Sequence, residues 1–225
     1  MSGAPVAGST LVAIIYWNVD TSETFTGVTD AAGNAYTKVA GIITGGTGGE
    51  HMAVYRKFNA AVVGSHTVTA TWSAATAAPR LIAIEVKGAA TAADSFDVQA
   101  PMNNYNGQAS PSGTDSVTST AATTTADGEF VLGVAAAGDA SALTPGTGFT
   151  NIVTVSNNLK AEYRVQTTAA STAATWTSSG GVRTIAEMAT FKSAPLILSP
   201  PIVDYSNFPK PTMRQPLTPG TGRTN

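Results

Sequence analysis

The sequence predicts an all-β protein: a jelly-roll-like antiparallel β-sandwich made of two loosely duplicated halves, followed by an extended, proline-rich C-terminal arm. Three observations carry this. Only 12% of residues are charged, about half the usual share, and Thr, Val, Gly and Ala dominate where a helical protein would carry Leu, Glu and Lys. Several segments alternate apolar and polar residues with period two, the mark of a half-buried strand. The order of motifs in residues 9–88 then returns in residues 127–193.

Taken in order, Leu11–Trp17 is apolar on both faces and reads as a central strand. In VTDAAGNAYTKVAG, Asp30 and Gly33 stand first and fourth, as a type I turn prefers, so this stretch reads as a hairpin. Gly45–Gly49 reads as a flexible hairpin loop. It lacks the Gly-Lys-Ser/Thr end that a phosphate-cradling loop needs. Thr67–Trp72 puts Val68, Ala70 and Trp72 on one face and three threonines on the other. Arg80–Lys87 groups Ile82, Ile84 and Val86. These apolar sets are assigned to the core, together with Trp176.

The duplication is read from the order STLVAIIYW, GNAYT, AVYR, TVTATWS, RLIAIEVKG and its echo GEFVLGVAAAG, GTGFT, AEYR, TAATWTS, VRTIAEMATFK. Ala53, Tyr55 and Arg56 correspond to Ala161, Tyr163 and Arg164, Trp72 to Trp176, and Arg80 to Arg183. The domain is thus 1–193, with halves at 9–88 and 127–193 joined by 89–126. That joining segment carries a short strand at Ser95–Gln99 and a polar, Asn-rich surface loop, Pro101–Gly113.

Residues 194–225 hold seven of the twelve prolines and no helical or strand pattern. Extended at about 3.1 Å per residue, they reach on the order of 90–100 Å. Such a segment reads as an arm that lies on a neighbouring protein. Its anchors are Leu196, Ile197, Leu198, Ile202, Tyr205 and Phe208, with Lys210, Arg214 and Arg223 meeting acidic or carbonyl partners. Prolines pre-set the extended backbone, so docking loses less entropy.

Chemistry is sparse. With no cysteine, thiolate nucleophiles and Cys-based zinc sites are excluded. His51 and His66 stand in no metal spacing and read as exposed turn residues. No GxSxG elbow exists. Asp94 with Asp97 and Asp20 with Glu23 are acidic pairs without calcium-loop spacing, and read as solvated turn carboxylates. Glu85, Glu162 and Glu187 fall in strands, where alternation sends them to the wet face or pairs them with Lys87, Arg164 and Arg183. The chain is expected to be no enzyme and to need no cofactor or metal. Trp17, Trp72 and Trp176 read as core, leaving Tyr105 as the possible aromatic surface contact.

Net charge is −2, with no basic cluster to displace counterions from phosphates, so nucleic acid is not an expected partner. Leu11–Trp17 is too short to span a bilayer and follows no basic region, so neither a membrane segment nor a signal peptide is expected.

The stretch VTDAAGNAYTKVAG, then AVYRKFNAAVVGSHTVTATWS, IAIEVKG and the closing EMATFKS resemble a β-sandwich domain of tailed-phage virion proteins, with similar stretches in secreted bacterial surface proteins. The resemblance covers roughly Ser9–Ser193 and transfers no catalytic residue. It implies a structural, adhesive or surface-displayed role. The expected function is that of a capsid decoration or cement protein, assembled in the host cytoplasm, binding other virion proteins, the major capsid protein foremost, and copies of itself as a trimer. The alternatives are a tail-fibre, head-fibre or baseplate component, and a glycan-binding surface module.

Overall fold

The computed structural model describes residues 5–18, 24–39, 43–45, 49–74, 77–89, 95–101, 114–137, 142–156, 159–179 and 184–193. These contain strands and no helix. The first half supplies β1 (Thr10–Asn18), β2 (Phe25–Asp30), β3 (Thr37–Lys38), β4 (Ile43–Gly45), β5 (Glu50–Lys57), β6 (Val68–Trp72) and β7 (Ala77–Val86). The joining segment supplies β8 (Phe96–Pro101), β9 (Thr114–Thr118) and β10 (Ala122–Thr123). The second half supplies β11 (Glu129–Ala137), β12 (Ala142–Pro145), β13 (Thr150–Ser156), β14 (Leu159–Gln166), β15 (Ser171–Thr172), β16 (Thr175–Ser179) and β17 (Thr184–Phe191).

Two large antiparallel sheets form the sandwich. One runs β3-β5-β1-β7 with β4 also on β5, and the other β13-β14-β11-β17-β8. Their facing sides bury Val12, Ile14, Met52, Ile82 and Ile84 against Leu132, Val134, Leu159, Ile185 and Phe191. Each fully buried side chain of this size contributes about 1.5–3 kcal/mol. The outer side of the first sheet is covered by the ribbon β2-β6. That of the second is covered by the sheet β12-β16-β9 and the pair β10-β15. The large sheets are therefore apolar on both sides, which is why β1 and β11 are almost wholly buried.

The halves repeat in topology. β1 lies between β5 and β7 as β11 lies between β14 and β17, and β2 pairs with β6 as β12 pairs with β16. The repeat does not hold residue by residue. Tyr55 stands opposite Ala13 and packs on the outer aromatic cluster, whereas Tyr163 stands opposite Leu132 and stacks on Phe130 at 5.5 Å, on the inner side. Ala53 faces outward and Ala161 inward. A slip of one residue turns every side chain to the other face, so the shared Ala-x-Tyr-Arg string occupies equivalent strands but opposite faces. Arg183 lies outside the described residues.

Two local readings are corrected. The Asp30–Gly33 turn forms, with Gly33 donating to the Asp30 carbonyl at 3.0 Å and adopting φ +74. It does not close a hairpin, because β2 pairs with β6 while β3 pairs with β5. It is a corner between layers. Val68, Ala70 and Trp72 are half-buried where full burial is expected from their alternation; Ile82, Ile84, Trp176 and Leu11–Trp17 are buried. The physical reason lies at the edge of β6.

Candidate functional site

In the second half, β8 covers the outer edge of β17, and β9 covers the edge of β16 that β12 leaves free. Both strands come from the joining segment. Among the described residues, the equivalent edges of the first half carry no strand: β7 pairs with β1 and β6 with β2 alone. Trp176, under three strands, is 1% exposed, whereas Trp72, on a two-stranded ribbon, is half-buried.

Against these edges lies an open groove of about 250 Å³, lined by Val68, Ala70, Trp72, Pro79, Arg80 and Leu81 among others. Trp72 joins its lining to an aromatic cluster. Trp17 stacks on Phe25 at 5.1 Å and on His51 at 5.2 Å, and Trp72 meets Phe25 edge-on at 5.4 Å. Trp17 itself is buried and presents no platform. The indole N–H of Trp72 has no hydrogen-bond partner among the described residues. The groove thus offers one half-open indole, apolar walls and one guanidinium.

The corner beside this ribbon is braced by a polar knot. Asp30 accepts from the Ala32 and Asn34 backbone N–H groups at 3.0 Å each, from Asn34 Nδ2 at 2.7 Å and from the Tyr36 hydroxyl at 3.0 Å. Its Oδ2 also lies 3.1 Å from His66 Nε2. Burial opposes the Asp30 charge, but the bonds from Asn34 and Tyr36 and the nearby His66 outweigh it and hold the carboxyl below its ordinary value. Burial and the Asp30 carboxylate push the Tyr36 hydroxyl up. His66 is therefore a buried brace and His51 a stacked strand residue, correcting the reading of both as exposed turn residues.

The strand carboxylates are also inside. Burial raises Glu187 to about 8 and Glu162 to about 7, the latter against bonds from the Gly146 and Thr175 backbone. The wet-face reading fails for both, because each sheet is covered on its two sides. Glu162 stands opposite Gly133 and Glu187 opposite Val134. Neighbouring positions on one strand point to opposite faces, so these two acids do not share a cleft. Glu85 does lie beside Lys87, at 3.7 Å. Asp97 accepts from Thr125 N at 2.7 Å and pairs with Lys192 at 3.2 Å, so it too is no solvated turn carboxylate. Asp20, Glu23 and Asp94 lie outside the described residues.

The arm residues Leu196, Ile197, Leu198, Ile202, Tyr205, Phe208, Lys210, Arg214 and Arg223, and Tyr105 in the joining segment, also lie outside the described residues. Among the described residues no cluster of acids and histidines has metal-binding form, and no helix is long and apolar enough to cross a membrane. The open edges escape sequence reasoning, since alternation reports a strand's faces and not its neighbours. Compared with protein-family models, curated proteins and solved structures, the chain matches none.

Proposed function

We propose that the protein is a virion structural component of the capsid decoration or cement type, stabilising an assembled lattice through its sandwich and its C-terminal arm. The observation that carries this reading is the pair of edges, on β6 and β7, that carry no further strand among the described residues, beside a largely apolar groove. An uncovered edge is a template for pairing with another chain. Low charge and many small residues let such surfaces approach with little desolvation. The resemblance of residues 9–193 to phage β-sandwich domains points the same way. The mechanism is thermodynamic: binding only the assembled lattice stabilises it by mass action, and an arm reaching a second subunit raises effective concentration. Self-association as a closed trimer fits the same logic.

The deciding experiment compares the full chain with one ending at Ser193 for binding to particles lacking the protein. The shortened chain is expected to fold, since the described strands close without the arm, and to bind far more weakly. Equal binding would overturn the role of the arm.

A glycan-binding module is the second reading, favoured by the half-open Trp72 beside Arg80. An indole face can stack on a sugar ring while a guanidinium bonds its hydroxyls. Glycan-dependent quenching of tryptophan fluorescence that disappears in Trp72→Ala would favour it.

A further inference from the structure

Resting on the assembly reading above, we infer that the C-terminal segment Ile202–Phe208 of one copy adds as a strand to the outer edge of β7 in a second copy. The argument starts from what each half lacks. Among its described residues, the segment that follows β7 in sequence does not close the first half. It crosses to the second half and lays β8 on β17, with Phe96 opposite Phe191 and Ala100 opposite Met188. The segment that follows β17 is the arm. If each half is completed by the segment trailing another half, the edge awaiting the arm is that of β7.

The two exits match in detail. Ala89, just past β7, and Ser193, just past β17, form an antiparallel bridge. Lys87 directly follows β7 and Lys192 directly follows β17. Lys192 is engaged by the incoming strand, its Nζ lying 3.2 Å from Asp97. Lys87 is largely exposed, and its ion pair among the described residues is with the Glu85 carboxylate, 3.7 Å away on its own strand. The incoming strand reads Phe96-Asp97-Val98-Gln99, apolar, acid, apolar, polar. In the arm the same order occurs as Val203-Asp204-Tyr205-Ser206, inside its longest proline-free run, 202–208. A proline-free run is what a paired strand needs, and β-branched and aromatic residues suit the site.

The centre of the edge is apolar: Leu81–Ile84 is a run of four apolar residues, and the proline and charges that blunt an exposed edge, Pro79, Arg80 and Glu85, stand only at the two ends of that run. Asp204 would take the place at Lys87 that Asp97 takes at Lys192. The choice of a second copy over the chain's own edge comes from the assembly reading, in which the arm works between subunits.

The chain has no cysteine, so introduced pairs report without background. Lys87→Cys is combined in turn with Val203→Cys, Asp204→Cys and Tyr205→Cys in the full-length protein, at concentrations where sedimentation shows it associated. Mild oxidation is followed by non-reducing electrophoresis and mass measurement. The expected result is a ladder of covalently joined copies, removed by reductant and strongest for one of the three pairings, as a fixed register demands. A disulfide closed within a single chain overturns exchange between copies. No disulfide, or equal linking by all three pairs, overturns the β7 edge as the seat. Either failure leaves the assembly reading to be judged by particle binding of the full chain. Particle binding lost altogether in the unmodified protein would overturn that reading instead.

Discussion

Gly133 and Glu162 are cross-strand partners on β11 and β14, and a Cβ at residue 133 would stand 2.7 Å from Glu162 Oε1 and 2.8 Å from Ala174 Cβ. The missing side chain is what admits a carboxylate between the second large sheet and its outer cover. Glu162 uses that space to accept the Gly146 backbone N–H at 3.0 Å, tying the β12 end to β14.

Gly133→Ala is therefore expected to destabilise the protein by about 1–3 kcal/mol through overpacking. Thermal or urea unfolding measures the loss. The double variant Gly133→Ala with Glu162→Ala should recover part of it, and purely additive losses would show that the carboxylate is not what fills the space.

Stability should fall as pH rises from weakly acidic to mildly alkaline. Glu162 and Glu187 have native values of about 7 and 8 against an ordinary 4.5. The native state thus holds protons that the unfolded chain releases first. Their stability is fully present below about 4.5, declines through 7 and 8, and is flat above. Urea midpoints measured across that range test the slope.

Glu187→Met should remove the upper part of that decline. Both carboxyl oxygens lack partners among the described residues, within an apolar face. Near neutral pH the gain is expected at about 1–3 kcal/mol, the cost of an unpaired buried polar group. A variant less stable than the parent at pH 9 would show that Glu187 has a partner after all.

Asp30→Ala should cost about 3–5 kcal/mol, because it leaves the buried His66 and Asn34 and the half-buried Tyr36 without their common acceptor. In the parent, the lowered Asp30 value means that its contribution is present above 3.8 and is lost as pH falls through the native value. Acid unfolding of the parent, followed by tryptophan fluorescence, should steepen there and be shallower in the variant.

Much of the architecture is legible in the residues. The apolar run Leu11–Trp17 marks the centre of a large sheet, and the repeated motif order marks two halves of like topology. What alternation cannot convey is the number of layers. Glu162 and Glu187 obey period two, yet both faces of their sheet are covered, so the face opposite a core side is another core side. Trp72 and Trp176 read alike but differ in burial, because burial depends on whether a third strand arrives from elsewhere in the chain. His66 gave no signal, since its partner Asp30 is distant in sequence and met only through the fold. The candidate site shares this origin. An open edge is a property of pairing, and a sequence records it only through what the partner strand lacks.

The bridge between Ala89 and Ser193, with β8 seated on β17, makes the halves hostages of one another. A single backbone cut between β8 and β9 would leave one fragment carrying a strand that belongs to the other's sheet. The Arg56 guanidinium, 4.1 Å from the centre of the Phe96 ring, adds a second clasp on the same strand. Such a nicked molecule should persist as one particle in native gels and come apart only under denaturant, much as a lock stays shut when the key is snapped off inside it.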